Sequence, residues 1–149
     1  MPIEALHTLN RMLARLASSL LQYLGGAGPW VPASEQATLG GLQKLQAEEA
    51  AAIRKLWDFL IRRRAIPVGS RFPEEFTTLH FVGLDHLLPR LVAYQRWLVD
   101  GNEIDVAKLT DAEARSVALP ILDMNRRHLS ALEKLNTDRT GARAASTVR

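Results

Sequence analysis

Two carboxylates, one imidazole and one amide stand where helical periodicity otherwise places apolar side chains. These residues are Glu49, Asp85, Asn125 and His128, each in line with leucines, isoleucines or valines three or four positions away. Burying an ionised carboxylate without a partner is costly, so such groups are expected to contact one another or a cation. The pattern therefore predicts either a cation held among these side chains or a hydrogen-bonded polar layer without metal.

Four amphipathic segments must position these side chains. They cover about 3–24, 34–65, a third that starts between 73 and 79 and ends near 99, and 110–136. No run shows the alternating period of a strand. The segments predict an all-α four-helix bundle over residues 1–136, followed by a flexible basic tail over residues 137–149.

Capping and turn-forming residues in the sequence predict where the helices begin and end. Ser34 is expected to be the N-cap of the second helix, and Thr110 with Glu113 forms a capping-box pattern that should start the fourth. Residues 100–102, Asp-Gly-Asn, are expected to open a loop after the third helix. The chain has no cysteine, so any metal must be held by His, Asp or Glu.

The first two segments resemble bacterioferritins. In LNRMLARLASSLLQYL, the pairs at 9–10 and 22–23 have the spacing of the family's Leu-Asn and Gln-Tyr pairs, and Leu16 stands at its first metal-ligand Glu. The second segment is similar to the helix that carries the family's first Glu-x-x-His motif. Glu49 occupies the Glu position of that motif, and Ala52 occupies the His position.

The fourth segment, PILDMNRRHLSALEKL, resembles the helix with the family's second Glu-x-x-His motif. His128 keeps the His, whereas Asn125 stands at the Glu position. A shift of about two helical turns brings Asp85 onto the remaining Glu ligand. The resemblance implies a ferritin-like fold with a degraded di-iron site, in which Glu49, Asp85 and His128 could hold at most one divalent iron, manganese or zinc ion.

The resemblance implies a homo-oligomeric protein without ferroxidase activity that acts through structure, assembly or binding. An alternative is a metal-binding protein or oxidoreductase that uses one ion. A third is nucleic-acid binding by the cluster Arg62, Arg63 and Arg64, although such residues at a helix end also cap carbonyls and complement the macrodipole. A bacterioferritin-type haem is not expected, because Ala50 stands where the family has its haem-ligating Met.

The length of the connection between the second and third helices limits the order in which the helices can be arranged. A ferritin-like fold needs a long crossover between the second and third helices, and residues 66–72 are too few for it unless the third helix starts near Leu79. A plain up-down-up-down bundle is the alternative. The net charge is +3, and no stretch approaches the roughly 20 apolar residues of a membrane span, so we expect a cytoplasmic protein without membrane contact.

Overall fold

The computed structural model describes residues 1–26, 31–69, 71–79 and 83–147, and this part of the chain is helical and contains no strand. The helices are α1 (Ile3–Ala17), α2 (Leu20–Gly26), α3 (Gln36–Arg62), α4 (Leu84–Lys108) and α5 (Ala112–Thr147), with 3-10 turns at Ala33–Glu35 and Glu74–Leu79. The predicted all-α class is therefore confirmed. No helix among the described residues is long and apolar enough to cross a membrane.

Two apolar clusters form the core. One contains Leu13 of α1, Leu56 of α3 and Leu98 of α4, and the other contains Leu42 of α3 and Leu132 of α5. Polar side chains between the two clusters along their helices are also buried, and these are Ser19, Glu49, Gln95, Asn125 and His128. The molecule thus has an apolar core that is interrupted by one polar level.

The helix α1 and the segment after it run antiparallel to α3. The Asn10 side chain donates to the carbonyl of Ile66 just beyond the end of α3, whereas Ser19 contacts Glu49 near its middle. This direction follows from the short connection between α2 and α3, which favours antiparallel neighbours.

The helix α4 also runs antiparallel to α1, because Arg15 contacts Asp105 while the Tyr94 hydroxyl lies 3.5 Å from the carbonyl oxygen of Ser18. Consequently α3 and α4 run in the same direction, and residues 63–83 connect opposite ends of the molecule. This is not the up-down-up-down order. The connection has to return along a length of about 40 Å, the rise of a helix as long as α3.

The first predicted helix is interrupted, so the expectation of one segment over 3–24 is wrong. The Ser18 hydroxyl donates to the carbonyl of Ala14, which competes with regular helix geometry. The next residue, Ser19, caps α2, because its Oγ accepts the backbone N–H of Gln22 at 3.1 Å. The break places the Ser19 hydroxyl in the core.

Both predicted N-caps are wrong by one or two positions. Ser34 lies inside a 3-10 turn, and α3 begins two residues later without a side-chain cap. At the start of α5, the cap is Asp111 instead of Thr110, because its Oδ1 accepts the backbone N–H of Ala114 at 2.9 Å. A carboxylate at this position also interacts favourably with the helix macrodipole.

Two helices continue beyond their predicted ends. The expected loop at 100–102 is instead part of α4, which continues to Lys108 because Asn102 and Asp105 bury their side chains against partners on α1. The fourth predicted helix does not end near 137, since α5 extends to Thr147. The division into a bundle and a flexible tail after residue 136 stays a prediction.

Candidate functional site: a polar layer and the adjacent groove

Glu49 is fully buried near the middle of α3. Its Oε1 accepts hydrogen bonds from the Ser19 hydroxyl at 2.5 Å and from Gln22 Nε2 at 3.0 Å. Its Oε2 has no hydrogen-bond partner in the described part of the chain. Burial raises the pKa of Glu49 to about 7, although these two hydrogen bonds oppose the rise. The carboxyl group is therefore neutral at mildly acidic pH.

His128 is the second buried titratable group of this level, on the facing helix α5. Its Nε2 lies 3.1 Å from Glu48 Oε2, and Arg127 donates to the other oxygen of Glu48 at 2.7 Å. Burial lowers the pKa of His128, while the contact with Glu48 partly offsets that effect. We assign a neutral imidazole that donates its Nε2–H to Glu48, which leaves Nδ1 as an acceptor without a partner among the described residues.

Asn125 links α5 to α4. Its Oδ1 accepts a hydrogen bond from Asn102 Nδ2 at 2.8 Å, and its backbone carbonyl accepts one from Gln95 Nε2 at 3.0 Å. Its Nδ2 is buried and has no partner within the described segments. These buried or half-buried polar side chains form a polar layer, which comprises Ser19, Gln22, Glu49, Gln95, Asn102, Asn125 and His128.

An ion-pair cluster continues the polar layer towards α1. Arg15 donates to Asn102 at 3.1 Å and to Asp105 at 2.5 Å, and Arg11 donates to Asp105 at 3.0 Å. Burial alone would raise the pKa of Asp105, but the hydrogen bonds from Arg15 and Arg11 lower it overall. Asp105 is therefore held as a carboxylate that joins α4 to α1.

Asp85, the third residue of the expected metal site, is not in the core. It is exposed in the first turn of α4, where its Oδ1 accepts from Arg139 Nε at 2.5 Å, and Arg139 also pairs with Glu35. The sequence predicted that Asp85 faces the core, and this is wrong. Helix α4 begins only at Leu84, and its buried face is formed by Leu84, Leu88 and Leu91. Asp85 thus ties the start of α4 to the C-terminal half of α5.

The donor set of the polar layer does not fit a resident metal ion. One oxygen of Glu49 is engaged by neutral donors, Asn125 presents its amide nitrogen, and the oxygen of that amide is taken by Asn102. Among the described residues, no group of three or more His, Asp or Glu side chains is placed to hold a metal. Metal binding by Glu49, Asp85 and His128 stays a prediction from the sequence, and the geometry does not assemble these three residues.

A groove lies beside the polar layer, between α3 and α5. Its volume is about 610 Å³, and its apolar lining includes Ala52, Leu56, Phe59, Val117, Ile121 and Met124. Ala52 has a small side chain, which contributes open space to the groove. Pro120 of α5 also lines the groove and lacks the N–H that would bond to the carbonyl four residues earlier.

Two salt bridges join α3 and its end to α5 near this groove. The pair Arg127–Glu48 lines the groove at the end next to His128, and the pair Arg63–Glu113 lies beyond Arg62 and does not line it. The two helices are antiparallel, because Glu48 pairs with Arg127, whereas Arg63, later in the chain, pairs with Glu113 at the start of α5. Between these bridges the facing surfaces of α3 and α5 do not close on each other.

The arginine cluster at the end of α3 is divided between different tasks. Arg62 lines the groove, whereas the Arg63 guanidinium lies 5.3 Å from the ring centroid of Phe59 and pairs with Glu113. Arg64 has a φ of 59°, and backbone bonds of residues 60–65 form a Schellman motif around it. Binding of an anion by all three arginines together stays a prediction.

Comparison with protein-family models, with curated proteins and with solved structures gives no match to the chain. The site must therefore be interpreted from its own geometry. The sequence identified Glu49, Asn125 and His128 of the polar layer, and on α4 it missed Gln95 and Asn102 of that layer and Asp105 of the ion-pair cluster. The missed signal was a continuous stripe over positions 95, 98, 102 and 105, which has the spacing of one helix face.

Proposed function

We propose that the chain is a ferritin-like helical bundle without ferroxidase activity that acts as a binding protein, with its ligand in the α3–α5 groove. The observation that carries this proposal is the groove itself. Its volume of about 610 Å³ lies within the range of small-molecule sites, and most of its lining is apolar with a few charged groups at the rim. Apolar lining of this kind gains free energy when a ligand replaces water.

Two features support the ferritin-like part of the proposal. The helices α3 and α4 run in the same direction, which requires the long connection over residues 63–83. Buried Glu49 and His128 lie at one level of the core, on the two helices that resemble the family's Glu-x-x-His helices. Fold alone does not assign an activity, so the binding function is argued from the groove.

The charged groups nearest the polar layer support binding over catalysis. Glu48, Arg127 and His128 contact one another, and the Glu48 carboxylate has its pKa lowered by hydrogen bonds from Arg127 and His128. These contacts keep Glu48 ionised and occupied. The paired side chains of Glu48 and Arg127 thus form one end of the groove, next to its apolar lining.

An uncharged, environment-sensitive dye tests the proposal. Nile red should bind the full chain with one site and lose most of its affinity in Ala52→Leu, because the larger side chain occupies the groove. Ala47→Leu is the matched control, since Ala47 is exposed on the same helix and does not line the groove. Equal binding by both variants, or no binding by the parent chain, would overturn the proposal.

The remaining sequence-based functions stay proposals without support from the groove. An oxidoreductase with one metal requires Asp85 in the core, and nucleic-acid binding requires the three arginines on one surface. A retardation assay over a salt series tests nucleic-acid binding, because phosphate contacts weaken steeply as salt rises. Light scattering after size-exclusion chromatography tests the expected homo-oligomer.

A further inference from the structure

We propose that the ligand of the α3–α5 groove is a slim linear amphiphile with an anionic carboxylate head, of the fatty-acid class. This inference rests on the proposed function and adds the chemistry of the ligand. It follows from the shape of the groove, from its apolar floor and from the charges that lack ion-pair partners along its rim.

The dimensions of the groove favour a slim, extended ligand. The lining residues of α3 extend from Glu48 to Arg62, which corresponds to about 21 Å at the rise of a helix. Dividing the volume of about 610 Å³ by this length gives a mean cross-section of about 29 Å². A single extended chain is slim enough to enter.

The length of the groove also suits an acyl chain. With carbon–carbon bonds of about 1.5 Å, a zigzag chain of roughly ten to twelve carbons spans most of the distance of about 15 Å from Ala52 to Arg62. Ala52 and Met124 stand at the end near the polar layer, and Leu56 and Ile121 continue the apolar floor. The methyl end of the ligand should therefore point towards Ala52.

The rim charges determine the head group. Lys55 and Arg62 line the groove, are exposed, and have no ion-pair partner among the described residues. Asp58 is the lining acid that likewise lacks such a partner, whereas Glu48 is neutralised by Arg127. The unpaired rim therefore carries two cations against one anion. Arg62 stands at the end opposite to Ala52, so it is placed to receive a carboxylate head.

Three probes with the same tail and different heads test the inference. Decanoate, decyl glucoside and decyltrimethylammonium, each below its micellar concentration, are titrated against the chain loaded with Nile red. We expect decanoate to displace the dye at the lowest concentration and decyltrimethylammonium at the highest. The advantage of decanoate should shrink as salt rises, because the rim charges are exposed and screened.

Two variants assign the effect to particular charges. Arg62→Gln should weaken decanoate between about twofold and fivefold, the range expected for one exposed ion pair, and should leave decyl glucoside unchanged. Arg54→Gln is the matched control, because Arg54 is exposed on α3 and does not line the groove. If Arg54→Gln weakens decanoate as much as Arg62→Gln, net charge explains the effect and the inference is overturned.

The outcomes separate this inference from the proposed function. If none of the three probes displaces the dye and Ala52→Leu binds Nile red normally, the groove is not a binding site and both proposals fail. If all three heads bind equally well and Arg62→Gln changes nothing, the groove remains a binding site but its ligand is not an acid. Binding of decanoate with unchanged affinity in Ala52→Leu would place the acid outside the groove and overturn the inference.

Discussion

Replacing Glu49 by Gln should change how the stability of the chain depends on pH. Glutamine has the shape of a protonated glutamate, and its Oε1 can still accept from Ser19 and Gln22. It does not titrate. The difference in unfolding free energy between the parent chain and Glu49→Gln therefore isolates the ionisation of this one carboxyl group, because other titrating groups are common to both proteins.

The sign follows from the raised pKa. Burial raises the pKa of Glu49 from 4.5 to about 7, so between these values the unfolded chain releases a proton that the folded chain keeps. The folded state then binds more protons, and its stability falls as the pH rises. The contribution is fully present below pH 4.5 and is lost above about pH 7. The loss is about 3 kcal/mol, at 1.36 kcal/mol for each unit of the pKa difference.

Urea unfolding of both proteins at several values between about pH 4 and pH 8 measures this quantity. We expect Glu49→Gln to gain about 3 kcal/mol relative to the parent chain over this range. Glu48→Gln is the matched control from the adjacent position. Hydrogen bonds from Arg127 and His128 lower the pKa of Glu48, so the stability that Glu48 contributes is lost as the pH falls, the opposite sign.

A flat difference for Glu49→Gln would contradict this prediction, because it would mean that Glu49 has the same pKa in the folded and unfolded chains. A difference of opposite sign would also refute it. That result would show that a cation, either a metal ion or a protonated histidine, holds Glu49 in its ionised form.

Three further predictions concern the ion-pair cluster and the expected metal site. In urea titrations, Asp105→Ala should lower the unfolding free energy by about 2 to 3 kcal/mol. The substitution removes hydrogen bonds between charged groups and leaves Arg15 without its main partner. A loss below about 1 kcal/mol would contradict this prediction. In thermal unfolding, Gly101→Ala should be less stable than Gly40→Ala by about 1 kcal/mol or more, although alanine has the higher helix propensity at both positions. Equal stabilities of the two variants would contradict this prediction. A Cβ at Gly101 would lie 2.9 Å from Nε of Arg15, whereas one at Gly40 meets open space. Reconstitution with ferrous iron under anaerobic conditions, followed by desalting and metal analysis, should leave no stoichiometric iron, and retained iron that His128→Ala removes would contradict the hydrogen-bonded interpretation of the polar layer.

The buried polar residues that the sequence identified share one property: they lie well inside long helices. Glu49 is in the middle of α3, and Asn125 and His128 are in the middle of α5, so helical periodicity alone places them on the inner face. Asp85 does not lie well inside a helix, so helical periodicity does not determine which way its side chain faces. It lies in the first turn of α4, where the orientation of a side chain depends on where the helix starts and which neighbour it meets.

Local signals misled where tertiary contacts outweigh them. Asp-Gly-Asn at 100–102 is typical of a turn, yet Arg15 binds both Asn102 and Asp105 and thereby stabilises a helix through Gly101. A glycine inside a helix costs only about 1 kcal/mol, which these contacts exceed. The break at Ser18 could not be seen in the sequence, because serine is tolerated in many helices and the leucine spacing continues through Ser18 and the capping residue Ser19.

The groove could not be predicted from the sequence, because its width depends on how far apart α3 and α5 pack. The resemblance placed Ala52 at a histidine position, and in the structure this alanine lines the open groove beside the Arg127–Glu48 pair. The distance between helices depends on all the side chains at their contact, together with the backbone at Pro120.

Mapping the amide chemical shifts of the full chain, labelled with nitrogen-15, during a titration with decanoate tests the central claim most directly. We expect the largest changes on the two walls of the groove, in residues 48–62 of α3 and 116–127 of α5, and we expect Ala52→Leu to abolish them. Changes that are absent, or that are confined to helices outside the groove, would contradict the claim.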